Sequence, residues 1–302
     1  MLAVQVALDR AGFSPGEIDG QGGAKTRLAI TAFQTANNLS ASGTPDQATL
    51  AALHVASEPV TSYTITEQDA AGPFLGSMPK DLMEASKLPA LGYTSALEEV
   101  AEKFHSSQAF LRRLNPGASW NAGDAIKVPD VEPFEVPSKA APVKPAGRSA
   151  GAKPPAGATG TAGTTNNAIE VVVNGATKSL IARDSTGHIL MHAPITTGSE
   201  HDPLPVGDWK VVGVSWNPTF NYNPDLFWDA NPTHSKAKIP PGPNNPVGVV
   251  WIDINKEHFG LHGTPEPSTV GRTESHGCIR LTNWDAMKLG RLVSPGTKVT
   301  IQ

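Results

Sequence analysis

The sequence holds one cysteine, Cys278, among 302 residues. A single cysteine excludes an intramolecular disulfide framework and any zinc site built mainly from thiolates; taken alone it reads as a small buried hydrophobe. Charge is scarce too. Asp, Glu, Lys and Arg make up 17% of the chain, and 24 basic residues against 28 acidic ones leave a net charge of −4. No overall basic field is therefore available to hold a nucleic-acid backbone. Long apolar runs are missing: stretches such as Val247–Ile252, interrupted by Gly248, fall far short of the ~20 residues a membrane helix needs. No integral membrane segment is expected. Residues 1–10 also lack the basic start and apolar run of an export signal, and read instead as an amphipathic helix.

Glycine and proline are plentiful, at 29 and 27 residues, without a collagen-like period, and a hydrophobic fraction of 39% supplies cores for two or three folding units. One segment stands apart. Residues 137–165 contain 5 Pro, 5 Gly, 8 Ala, 6 Ser/Thr, 4 Lys/Arg, one Val and no acid. So few large apolar side chains cannot offset the entropy of ordering, and the segment reads as a basic linker. Its charge of +4 contrasts with −7 over residues 1–136 and −1 over 166–302.

Ahead of the linker, Val4, Ala7, Leu8 and Ala11 follow helical spacing and stop at Gly12. A turn-rich loop then leads into a second helix through Leu28, Ala32 and Phe33. Thr44 reads as the cap of a third helix carrying Leu50 and Leu53. This three-helix layout, with Asp19-Gly20, Gly23, Thr26, Ala29, Phe33-Gln34 and Leu39 in register, resembles the peptidoglycan-binding domain often fused to cell-wall enzymes; a domain over residues 1–56 is expected. In residues 60–133, Tyr63–Thr66 reads as an edge strand. Helical spacing joins Leu97, Val100, Ala101 and Phe104, and again Phe110, Leu111 and Leu114, until Asn115-Pro116 ends the run. Gly123–Pro129 closes with a second strand. The order is similar to a LysM module, which binds glycans containing N-acetylglucosamine, with an insertion between about 67 and 95.

Beyond the linker, residues 167–302 form a mainly β domain. Strands are predicted at Ile169–Val173, Ser179–Arg183, Ile189–Ala193, Gly207–Val214, Val247–Ile254 and Lys298–Ile301, with one helix at Trp284–Leu292. Asn174-Gly175 signals a hairpin. Residues 217–246, rich in Asn-Pro pairs and carrying Phe227 and Trp228, read as a long loop packed as a lid.

Near the end stand Leu261-His262-Gly263-Thr264 and Ser275-His276-Gly277-Cys278-Ile279-Arg280. A nucleophilic thiol needs a route to the thiolate, an oriented base and donors for a developing oxyanion. Two histidines within sixteen residues of Cys278, and a glycine-containing loop able to fold one of them back, meet the first two needs. Gly277 permits close backbone approach, so that nearby amides can act as oxyanion donors. A zinc site from His262, His276 and Cys278 is the other reading of these atoms; it lacks a persuasive fourth or carboxylate ligand at motif spacing.

The pattern resembles the catalytic signature of the L,D-transpeptidases of the YkuD type: an upstream His-Gly, a spacer, then Ser/Thr-His-Gly-Cys followed by an apolar residue and Arg or Asn. Gly198, Pro205-x-Gly207 and Asn245-Pro246-x-Gly248 agree with it. The resemblance implies a YkuD-type β-sandwich in which Cys278 is the acylated nucleophile and His262 the base, oriented by the Gly263 carbonyl. Ser275 and His276 would shape the site, and Arg280, Gly277, Thr264 and Trp228 would line it for substrate. It implies no metal and no cofactor. Peptidoglycan stem peptides and glycan strands would be the partners of a monomer that is exported to the periplasm or wall, with a signal segment absent from this chain. The implied reaction is Cys-thioester acyl transfer giving 3→3 crosslinks; trimming of tetrapeptide stems by an L,D-carboxypeptidase, a cysteine peptidase acting on proteins, and a non-catalytic wall-binding scaffold are the alternatives.

Overall fold

The computed structural model describes residues 1–137 and 168–302. The linker read at 137–165 lies, apart from Pro137, outside the described residues.

Helices α1 (Leu2–Arg10), α2 (Ala24–Ala36) and α3 (Gln47–Ala52) form the first unit. Gly12 turns the chain out of α1 with a φ of +85°, a left-handed conformation that suits glycine. The motif residues of this unit are its polar skeleton. Gln5 donates to the Asp19 carboxylate at 2.9 Å, and its own oxygen accepts the Gly20 amide at 2.8 Å. Gln34, fully buried, donates to the Thr44 carbonyl and to Thr49 Oγ1, both at 2.9 Å. The cap of α3 is Asp46, whose carboxylate accepts the Thr49 amide at 2.9 Å, and not Thr44 as expected. Asp46 immediately precedes the helix, whereas Thr44 lies in the turn that Gln34 holds.

The second unit contains β1 (Val60–Thr64), α4 (Glu67–Ala70), α5 (Leu82–Ala85), α6 (Ala96–Lys103), α7 (Gln108–Leu114) and β2 (Ala125–Pro129). Strands β1 and β2 pair antiparallel with Tyr63 opposite Ile126, and α6 and α7 are capped by Ser95 and Ser107. Val100, Leu111 and Val128 are fully buried in its core, which Val6 and Ile18 of the first unit enter as well. The two units thus share apolar packing that their helical periodicities did not reveal.

The third unit carries β3 (Glu170–Asn174), β4 (Ser179–Arg183), β5 (Ile189–Pro194), β6 (Gly207–Trp216), β7 (Phe220–Tyr222), β8 (Ala237–Ile239), β9 (Val250–Ile254), β10 (Gly260–His262), β11 (Ile279–Arg280), α8 (Asn283–Leu292) and β12 (Lys298–Ile301). Eight strands form one sheet in the order β11-β10-β9-β6-β12-β3-β4-β5. The sheet curls: just past β5, Thr196 exchanges two backbone hydrogen bonds with Arg280 of β11, at 2.9 and 3.0 Å, so the two ends of the strand order meet. Alternating burial along β3 and β4 faces Val171, Val173, Leu180 and Ala182 inward, as a half-buried sheet requires. Helix α8 covers the same core with Trp284, Ala286 and Leu289.

Residues 217–246 are not a bare loop. They hold the β7–β8 hairpin, and this hairpin packs on the insertion of the second unit. Leu91 and Ile239 are buried together with Tyr222 and Ala85, and the backbone of Leu91 bonds to Pro241 and Asn244 at 2.9 and 3.0 Å. His234 bridges the two parts, 3.1 Å from the Asp81 carboxylate and 3.1 Å from the Tyr222 hydroxyl. The first unit docks on the edge of β5, where Ser14 and Gly12 bond to the His192 backbone at 2.9 and 2.8 Å. No helix of the described residues is long and apolar enough to cross a membrane.

Candidate active site

Strand β10 delivers His262, and β11, parallel to it, follows Cys278 by one residue. The register pairs Leu261 with Ile279 and His262 with Arg280. One step back, the Gly260 amide bonds to the Cys278 sulfur. Side chains two residues apart on a strand share a face, so His262, Arg280 and Cys278 lie on one face as direct and diagonal neighbours.

His262 is 4% exposed. Its Nδ1 lies 2.6 Å from the Gly263 carbonyl; since a carbonyl only accepts, Nδ1 carries the proton and Nε2 is left as the acceptor. The ring stacks on Trp251 at 5.4 Å between centroids. Burial, with the Arg280 charge beside it, pushes the imidazole pKa down to about 3, so it is neutral across the physiological range. Cys278 is partly accessible, and its sulfur contacts the His258 carbonyl at 3.6 Å. Burial raises the thiol above its ordinary value, opposed by the Gly260 amide and the Arg280 charge. At neutral pH Cys278 is therefore a thiol and His262 a neutral imidazole.

The turn before Cys278 is built tightly. Gly277 has φ +96°, and a Cβ there would meet the Phe259 ring at 2.6 Å. Ser275 is buried; its hydroxyl donates to the Cys278 carbonyl at 2.5 Å, and its amide donates to the Thr197 carbonyl at 2.9 Å. Gly263 abuts Asn283, whose Oδ1 would lie 2.1 Å from an added Cβ. That same oxygen accepts the Val249 amide at 3.1 Å.

The remaining expected site residues divide between the rim and the framework. His276 reaches the 217–246 segment, where its Nε2 lies 2.8 Å from Asp229 Oδ1 and its ring meets Phe227 edge-on at 5.0 Å. Trp228 is 63% exposed, stacks on His201 at 4.5 Å and donates to Asp202 at 2.9 Å. Thr264 is buried, and its hydroxyl accepts the Glu266 amide at 3.3 Å. Arg280 is half-buried, with Glu266 and Cys278 as its electrostatic neighbours. Among the described residues no three His, Cys, Asp or Glu side chains converge to hold a metal.

Sequence reasoning missed Trp251, Asn283, Asp229 and the His258 carbonyl. Trp251 lies in a strand with nothing in the sequence to separate it from core, and a backbone carbonyl has no signature in side-chain spacing. The left-handed φ of +65° at His258 marks its turn only once coordinates exist.

Residues 168–301 match the family model described as "YkuD: L,D-transpeptidase catalytic domain". That stretch is a catalytic domain of the L,D-transpeptidase type, and L,D-transpeptidases are enzymes. Residues 1–53 match a second model, described as "Putative peptidoglycan binding domain". Of the similar proteins, "Putative L,D-transpeptidase YkuD" of Bacillus licheniformis is 26% identical over 209 residues, 68% of this chain and 92% of its own. "Probable L,D-transpeptidase YbiS" of Escherichia coli K12 is 30% identical over 135 residues, 43% of each chain. Among solved structures, an L,D-transpeptidase from Mycobacterium smegmatis aligns over 45% of this chain and 59% of its own, at 18% identity and a TM-score of 0.37.

Proposed function

We propose that this L,D-transpeptidase forms 3→3 crosslinks between peptidoglycan stems through a thioester on Cys278, or joins another amine acceptor to a stem by the same route. One observation carries the reading: His262, its tautomer set by the Gly263 carbonyl at 2.6 Å, shares a strand face with the sulfur. In the first step Cys278 Sγ bonds to the carbonyl carbon of the L-centre of the diamino acid in a tetrapeptide stem, and its proton passes to His262 Nε2. The C–N bond to D-Ala then breaks, and the departing amine takes that proton. In the second step the amine of another stem attacks the thioester, gives its proton to His262, and the thiolate leaves and is reprotonated. Amides around Gly277 and Cys278 stabilise the oxyanion in both steps. Arg280 contributes positive charge, and Ser275 and His276 hold the turn that carries the nucleophile.

The 217–246 segment, whose Phe227 and Asp229 contact His276, forms one wall of the groove and excludes water from the thioester. Water in place of the amine gives L,D-carboxypeptidase activity by the same intermediate. The modules ahead of the linker hold the enzyme at its polymer and raise local substrate concentration, with the first unit, and the β-α-α-β unit after it, contacting glycan. Such a substrate implies action outside the cytoplasm.

The experiment is incubation with disaccharide-tetrapeptide and mass spectrometry of the products. Loss of D-Ala with a 3→3 dimer is expected from the wild type, and Cys278→Ala should abolish both and prevent carbapenem acylation. Turnover retained by that variant would remove the mechanism; D-Ala loss without dimers would make the enzyme a carboxypeptidase; and absence of any acylation would leave a wall-binding scaffold.

A further inference from the structure

The first unit reaches the start of α8 through one side chain. Ser14 is buried, and its hydroxyl is used in both directions. It accepts the Gly16 amide at 3.1 Å and donates to Asp285 Oδ2 at 2.8 Å. The Ser14 amide donates to the His192 carbonyl at 2.9 Å, which fixes the residue at the edge of β5. Asp285, in the first turn of α8, is itself fully buried. The Thr282 hydroxyl, which caps α8 by accepting the Asp285 amide at 3.1 Å, donates to the same Oδ2 at 2.7 Å. Oδ1 has no hydrogen-bond partner, and the charged neighbours of the carboxyl group are Lys288 on its own helix and Asp9 of α1. Ser14 thus supplies one of the two side-chain hydrogen bonds that Asp285 accepts.

The turn that Asp285 and Thr282 build also holds the strand of the histidine. One residue ahead of the cap, the Leu281 amide donates to the His262 carbonyl at 2.8 Å. One residue past it, Asn283 accepts the Val249 amide on Oδ1. That oxygen lies so close to Gly263 that an added Cβ would meet it at 2.1 Å. The Gly263 carbonyl in turn holds the proton on His262 Nδ1. A buried carboxyl group that loses a donor is under-satisfied and re-aims toward another. Re-aiming Asp285 moves the first turn of α8, and with it the supports of His262 and Gly263.

We propose that Ser14 is a positioning residue for His262: from the first unit it holds the start of α8 where the helix keeps the imidazole in its working tautomer. The unit that matches a peptidoglycan-binding model is then part of the active-site framework, beyond any contact it makes with polymer. The kinetic consequence rests on the function proposed above, whereas the state of the ring is measurable without turnover. A contact that only docked the units would leave the ring unchanged.

The test is Ser14→Ala in the full chain, read by nitrogen-15 NMR of histidine-labelled protein and by D-Ala release from disaccharide-tetrapeptide. The His262 signals are assigned by their loss in His262→Gln. The wild type should show this ring as a single tautomer, protonated on Nδ1. Ser14→Ala should populate the other tautomer and lower kcat about tenfold, with KM unchanged, because the substrate groove is intact and only the base is misplaced. Its Tm should stay within a few degrees of the wild type. Arg10→Ala, which breaks an exposed ion pair between the first and second units, is the docking control and should leave tautomer and kcat as they were. An unchanged tautomer in Ser14→Ala, an unchanged kcat beside an active wild type, or the same change in Arg10→Ala overturns the proposal. If Ser14→Ala shifts the tautomer while the wild type releases no D-Ala, the positioning role stands and the thioester mechanism fails.

Discussion

The protonation of Cys278 and His262, the proposed nucleophile and base, differs from that of a preformed ion pair. A His⁺ next to a thiolate requires an imidazole that charges readily, and His262 is held neutral down to about pH 3 by burial and by Arg280. The thiol, raised above its ordinary value, keeps its proton at neutral pH. In the proposed mechanism proton transfer therefore accompanies attack, as general-base catalysis, and does not precede it. Alkylation of the resting enzyme by iodoacetamide should climb steadily with pH and show no plateau below pH 9; a plateau near neutrality would mean an ion pair. The glycine before the cysteine is equally constrained. Gly277→Ala forces a side chain into a left-handed conformation and against Phe259, a strain of about 1–3 kcal/mol. Relief by moving the turn would displace the sulfur. We expect at least a tenfold fall in kcat with a Tm loss of a few degrees, read by D-Ala release and by thermal melting.

At the scale of elements, the 217–246 segment is held from outside its own unit. Its β7–β8 hairpin has few partners in the large sheet; its apolar face meets α5 and Leu91 of the insertion. Gly242 marks how close the approach is, since a Cβ there would come within 2.1 Å of the Leu91 carbonyl. Leu91 is 1% exposed and Ile239 fully buried, so Leu91→Ala should cost about 2–5 kcal/mol at this contact. The cost falls on the hairpin first. Hydrogen exchange over 217–246 should accelerate while β3, β4 and β12 keep their protection. Uniform acceleration would show instead that the hairpin and sheet unfold together. Because Phe227 and Asp229 touch His276, loosening the hairpin should also, under the proposed mechanism, shift product from dimer toward trimmed stem, as water gains entry to the thioester.

At the scale of the molecule, a buried polar knot ties the three units. Asp9 of α1 lies 3.0 Å from His105 of the second unit and 3.2 Å from Lys288 of α8. Trp284 stacks on His105 at 5.2 Å, and Ser14 donates to Asp285 at 2.8 Å. The His105 and Lys288 partners hold the Asp9 carboxyl well below the usual range despite its burial. Removing one member of a buried charge set strands the others, at about 3–5 kcal/mol. Asp9→Ala should therefore lower the calorimetric Tm markedly and separate a first transition, from the modules ahead of residue 137, from that of the sheet. A single unshifted transition would mean that the knot contributes nothing to docking.

The thiol signature, the strands Ser179–Arg183 and Lys298–Ile301, and the helix expected at Trp284–Leu292 (observed at Asn283–Leu292) were legible in the chain because each rests on local chemistry. Strand alternation and a Gly-flanked cysteine are short-range features that a linear sequence carries whole. The first unit's Asp-Gly turn and Phe-Gln pair were legible for the same reason, since the side chains of Gln5 and Gln34 satisfy backbone groups at fixed offsets. The α3 cap went to Asp46 because two oxygens near one helix start compete, and only the geometry of the turn decides between them. Tertiary structure alone decided that residues 67–95 fold into a support for the 217–246 segment, that Val6 and Ile18 enter a neighbour's core, and that Trp251 and Asn283 back the histidine. Those contacts join residues tens to hundreds of positions apart. Their strength comes from burial and complementary shape in three dimensions, which leave no period in the sequence.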